Sequence, residues 1–82
     1  MVIVNYEPNF KNIFGRIKDN LLKIRVKKQI AKIIENPEVG KPMMYGRKGT
    51  RELYIPPFRI SYLYIKHENR IVFSNLYHKR KQ

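Results

Sequence analysis

The hydrophobic period of this chain changes once, at Asn36-Pro37, and that change limits the fold more than any other feature. Upstream, Phe10, Ile13, Phe14 and Ile17 recur at i, i+3, i+4 and i+7, one face of a helix, and Pro8 suits its first turn. Asp19-Asn20 interrupts the pattern and can cap a second helix. That helix runs to about Glu35, with Leu22, Val26, Ile30 and Ile33 on its inner face and Leu21, Ile24 and Ile34 beside them. Downstream, "ELYI", "FRISYLYIK" and "IVFSNLY" are rich in β-branched and aromatic residues and read as strands. "MMY" reads as a shorter strand and "RKGTR" as a basic loop, while "VIV" at the amino end is a strand closed by the turn-like "NYEPN". The expected order is β-α-α-β-β-β(β). This is an α+β fold in which a small, antiparallel-rich sheet carries a two-helix hairpin on one face.

A chain of 82 residues makes one domain, 1–82, with one modest core and no expected room for a cofactor. Without cysteine it has no disulfide, no thiolate metal site and no thiol nucleophile, and His67 and His78 lie far from any paired carboxylates that would complete a metal site. No apolar stretch is long enough to span a bilayer, and "MVIVNYEPNF" lacks the basic leader of a signal peptide. The expectation is an unprocessed cytoplasmic protein.

Eighteen Lys and Arg against 6 Asp and Glu give a formal net charge of +12. Self-repulsion on that scale opposes folding, so a polyanionic partner is expected, nucleic acid first and an acidic protein second. A membrane surface fits less well, because the apolar residues are arranged for a core. Lys18, Arg25 and Lys32, spaced by seven, fall on nearly one line of the second helix with Lys28 beside it; alone, such a line is an ordinary solvated face.

Strand register gathers a candidate site. With Pro56-Pro57 as a two-residue turn, Ile55 opposes Phe58, Tyr54 opposes Arg59 and Glu52 opposes Ser61. If the last hairpin turns on Glu68-Asn69, or loops over His67 to Arg70, Arg59 faces His78, with Cβ atoms within about 5.5 Å. Glu52, Tyr54, Arg59, His78 and Arg80 then project from one face, with Leu63, Ile65, Val72 and Leu76 further along it and Ile60, Tyr62, Phe73 and Tyr77 behind. A three-residue loop instead moves the partner of Arg59 to Tyr77. A plain surface ion pair between Glu52 and Arg59 is the simpler reading of those two residues.

In order and spacing, "IIENPEVGKPMMYGRKGTREL", "PPFRISYLY" and "YHKRKQ" resemble the RelE/ParE toxin superfamily, and within it the RelE-like messenger-RNA interferases, over nearly the whole chain. The resemblance implies the toxin of a toxin–antitoxin pair: an endoribonuclease that enters the ribosomal A site and cuts messenger RNA. The RNA's own 2′-hydroxyl is the nucleophile, and no metal or other cofactor is used. It implies that Arg59 holds the scissile phosphate, that Arg80 lies near the leaving oxygen and that His78 is the general acid. Arg47, Lys48 and Arg51 then form a loop that grips RNA. Lys28, Lys32, Lys79 and Lys81 add cations, and Tyr45 and Tyr54 are candidates for stacking on bases. Where some members carry two lysines this chain has Glu52 and Tyr54. Glu52 is open to two roles, as base or as the group that orients Arg59. A small acidic, RelB-like antitoxin is the expected partner, with one of its helices in the groove between sheet and helices. Two other functions share the charge: a ParE-like toxin that inhibits DNA gyrase without cutting RNA, and a non-catalytic RNA-binding protein.

Overall fold

Two helices and five strands form, in the order that the hydrophobic periods predict. The computed structural model describes residues 1–43 and 48–78. Along them run β1 (Ile3–Tyr6), α1 (Pro8–Arg16), α2 (Asn20–Glu35), β2 (Lys41–Pro42), β3 (Thr50–Ile55), β4 (Phe58–Ile65), a 3-10 turn (Lys66–Glu68) and β5 (Arg70–His78). Pro8 opens α1, where the N–H it lacks has no helical acceptor to lose. Asp19 caps α2: its Oδ1 accepts from the N–H groups of Leu21 at 2.9 Å and Leu22 at 3.3 Å, a contribution of about 1 kcal/mol. The helix stops at Glu35 because Asn36 precedes a proline and is pushed out of the helical region.

The sheet order is β1-β5-β4-β3-β2, with β1 parallel to β5 and every other pair antiparallel. Both helices and three strands intervene between the two parallel neighbours, so no tight turn has to join them. One face of the sheet packs on the helices. Phe10, Leu22, Val26 and Ile33 meet Ile55, Ile60, Tyr62, Ile71, Phe73 and Leu76 there, all buried. Leu21 and Ile24, which flank the inner stripe of α2, stay exposed. No described helix is long and apolar enough to cross a membrane.

Two short elements differ from expectation. β1 runs on to Tyr6 because the chain there still pairs with β5, Tyr6 opposite Phe73, and the two rings stack at 5.2 Å. The short strand placed at "MMY" lies earlier, at Lys41–Pro42, paired with Glu52 and Arg51. Met43 follows it, its N–H donating to the Thr50 carbonyl, and Met44 lies outside the described residues.

Candidate functional site

The β3–β4 hairpin has the expected register: Ile55 opposes Phe58, Tyr54 opposes Arg59 and Glu52 opposes Ser61. Adjacent prolines fix where this hairpin turns, so the pairing follows by counting.

The β4–β5 hairpin does not pair as expected. Its loop has four residues, Lys66 to Asn69, beginning one residue before the four-residue loop considered from the sequence and two before the Glu68-Asn69 turn, so Ile65 opposes Arg70. Asn69 closes it in the left-handed region, at φ 51°, which asparagine tolerates better than most residues. Tyr62 opposes Phe73, yet Ser61 opposes Asn75: a bulge leaves β5 with one extra residue. Beyond it Arg59 faces Tyr77 and Phe58 faces His78. The placement of His78 across from Arg59 is therefore corrected. His78 lies on the helix side of the sheet, its ring edge-on to Phe58 at 5.5 Å. Leu76 and Tyr77 exchange faces for the same reason, Leu76 entering the core.

On the face away from the helices, Glu52 accepts two hydrogen bonds. The Nη1–H of Arg59 donates to Oε1 at 2.9 Å, and the Tyr77 hydroxyl donates to Oε2 at 2.6 Å. The Arg59 guanidinium also lies 5.9 Å from the centroid of the half-exposed Tyr54 ring, within range of a cation–π contact. Strand β3 supplies Glu52 and Tyr54, β4 supplies Arg59 and β5 supplies Tyr77. Arg59 is thus held in one orientation by a carboxylate whose oxygens are both engaged. Partial burial pushes the Tyr77 hydroxyl above the usual tyrosine range, and the Glu52 carboxylate raises it further by hydrogen bond and by charge, against a smaller lowering by Arg59. Tyr77 is therefore protonated and donating at neutral pH. Beside this cluster is an open depression of about 430 Å³ lined by Val39, Lys41, Glu52, Leu53, Tyr54 and Arg59.

Of the other cations expected at the site, Arg51, Lys48, Lys28 and Lys32 are described, and they lie apart from it. Arg51 belongs to β3 and not to a loop, and its Nη1 donates to the carbonyls of Glu38 at 3.0 Å and Gly40 at 2.7 Å. Lys48 lies at the far end of the sheet, around a second depression with Glu38, Arg51, Tyr64, Lys66 and His67. Lys28 and Lys32 are on the exposed side of α2, while the Glu52 cluster is on the sheet face that the helices do not cover. Tyr45, Arg47, Lys79, Arg80 and Lys81 fall outside the described residues. Tyr77 faces Arg59, the pairing that the sequence offered as its alternative, though by a bulge and not by a three-residue loop; its hydrogen bond to Glu52 was missed, because nothing in "VFSNLYH" marks the extra residue.

This arrangement of strands and helices recurs among solved structures. The isolated RelE toxin of E. coli aligns over 95% of this chain and 84% of its own, with a TM-score of 0.80 at 10% identity. The fold is the RelE fold. The E. coli DinJ-YafQ complex contains a chain with the same RelE fold, matching over 99% of this chain and 97% of that one at 13% identity and a TM-score of 0.78. So does the RelBE2 toxin–antitoxin complex of Mycobacterium tuberculosis, at 18% identity over 95% of this chain and 98% of that one, with a TM-score of 0.75. No family model matches the sequence, and no curated protein matches it by sequence. The likeness is one of fold, with 10% to 18% of residues in common.

Proposed function

We propose that this chain is the toxin of a toxin–antitoxin pair, a ribosome-dependent endoribonuclease that cuts messenger RNA in the A site. The observation that carries the reading is the Arg59 guanidinium, fixed by Glu52 at the edge of an open depression on the uncovered sheet face of a chain with net charge +12. A planar guanidinium held in this way matches a phosphodiester with two donors at once.

In the proposed reaction the 2′-oxygen attacks the adjacent phosphorus and the bond to the 5′-oxygen breaks. The products are a cyclic phosphate and a free 5′-hydroxyl. A base takes the 2′-proton, an acid protonates the departing oxygen, and cations stabilise the charge that builds on the phosphoryl oxygens. Arg59 meets that charge. Glu52, with one oxygen on Arg59 and the other on Tyr77, serves chiefly to orient the guanidinium, and Tyr77 joins it as a second positioning residue. His78 is the proposed acid and Arg80 its cationic neighbour; since His78 opposes Phe58 on the other face of the sheet from Arg59, this role requires the RNA to pass around the end of β5.

The proposed partner in the resting state is a small acidic antitoxin. A groove of about 290 Å³ formed by Tyr6, Phe10, Phe14 and Ile30, with Lys11 and Lys27 beside it, suits an amphipathic helix with acidic flanks. Primer extension on a message under translation tests the activity, with ribosomes omitted in a control. Cuts that need ribosomes, and that fall on the order of 100-fold in Arg59→Ala, are expected. Intact message with folded wild-type protein overturns the nuclease reading, and gyrase–DNA adducts in its place would establish the ParE-like one.

A further inference from the structure

Strand β2 is only two residues long, but it pairs Lys41 with Glu52, and side chains directly opposite one another in a sheet share a face. Lys41 therefore stands on the Glu52 side of the sheet, and it lines the same depression as Arg59. It is exposed and, among the described residues, makes no ion pair; the carboxylate opposite it is engaged by Arg59 and Tyr77. A cation at the wall of a site, not neutralised by the acid across from it, is available to an anionic ligand.

The segment that presents Lys41 is fastened from beneath. Tyr62, fully buried, donates its hydroxyl proton to the Pro37 carbonyl at 2.8 Å and accepts from the Gly40 N–H at 2.9 Å. Arg51 donates to the carbonyls of Glu38 and Gly40. Four backbone groups between residues 37 and 40 are thus held by two side chains of the sheet. A lysine tethered only to a loose loop would lose entropy on engaging a phosphate, whereas here the backbone is already ordered.

We propose that Lys41 is a substrate-phosphate ligand of this site, placed there by the Tyr62 and Arg51 clamp and taking an RNA phosphate next to the one that Arg59 holds. The inference rests on the RNA-cleaving reading above. Arg59 supplies the directed, two-donor contact, and Lys41 supplies a point charge that sets the path of the strand across the depression.

The test is the affinity of the full chain for a short single-stranded RNA with 2′-deoxyribose at the susceptible position, which removes the nucleophile, measured across a salt series. For single strands each phosphate contact contributes about 0.7 to the slope of log affinity against log salt. Lys41→Ala is expected to lower that slope by about 0.7 and Lys41→Arg to restore it, while Lys23→Ala, on α2, leaves it unchanged. Equal losses in Lys41→Ala and Lys23→Ala would mean that Lys41 acts only through diffuse charge, and would overturn the proposal. Arg59→Ala separates the two readings: if it leaves the slope unaltered while Lys41→Ala lowers it, the contact stands and the site built on Arg59 fails. If neither changes the slope, both fail.

Discussion

Tyr77 keeps its proton because of the groups around it, and those groups give its titration a direction in two variants. Glu52 raises the pKa by hydrogen bond and by charge, while Arg59 lowers it. Glu52→Gln should therefore bring the Tyr77 titration down, and Arg59→Ala should push it further up. Near-ultraviolet titration, with Tyr77→Phe to identify the signal, checks both, and movement in the same direction in the two variants would contradict the hydrogen-bonded arrangement. A raised folded-state pKa also fixes the sign of the stability effect. The folded chain holds the proton more tightly than the unfolded one, so the stabilisation is complete below the ordinary tyrosine value of about 10 and is lost as pH rises through the folded value. Tyr62, raised mainly by burial, contributes in the same sense. At this scale Glu52, Tyr54 and Arg59 were legible, since each lies within a few residues of the Pro56-Pro57 turn. The part played by Tyr77 was not, because it depends on a partner 25 residues away.

Between elements, legibility followed how well each turn is marked. Paired prolines announce the β3–β4 turn, and Asp19 and Asn36-Pro37 bound α2 at the positions read from the sequence. The last hairpin has no such mark. Its 3-10 loop shifts the register by two residues and the bulge adds one back, so the pairings from Ile65 to Tyr62 differ from the simple count by two residues and those from Ser61 to Phe58 by one. Because side chains alternate, that one-residue difference moves His78 to the other face of the sheet. The loop before β2 is announced by Asn36-Pro37, but its tight packing is not. A Cβ on Gly40 would lie 2.6 Å from the Tyr62 hydroxyl and 2.9 Å from the Glu52 carbonyl oxygen. Gly40→Ala should cost about 1–3 kcal/mol, read as a lower denaturation midpoint. Tyr62→Phe, which strands the Gly40 N–H and the Pro37 carbonyl, should cost a similar amount, about 1–3 kcal/mol. Since both changes act on one contact, the double variant should lose less than the sum of the two. Strict additivity would show that the loop is held by something other than this clamp.

Across the whole molecule, net charge does not say which surface meets which partner, and the fold separates two basic regions that the sequence presents together. Lys41 and Arg59 lie on the uncovered sheet face, while Arg25, Lys28 and Lys32 lie on the outer side of α2, which covers the other face, and Lys18 falls in the connection before it. On the proposed function, a short RNA in the depression contacts the first group alone. On the same proposal a ribosome, enclosing the chain on several sides, has phosphates to offer the second. Reversing two charges on α2, Lys28→Glu with Lys32→Glu, should therefore leave the affinity for a short RNA nearly unchanged. The same pair should weaken ribosome association and lower its salt slope, since each lost phosphate contact removes about 0.7 to 0.9 from it. Cleavage of a translated message should fall with ribosome association and recover at higher ribosome concentration. Screening favours the separation, because at about 0.15 M salt the Debye length is about 8 Å and solvent-exposed charges further apart than that are largely screened from one another. Equal losses for the short RNA and the ribosome would show that the helix charges act through the overall field, and the line on α2 would return to being a solvated face.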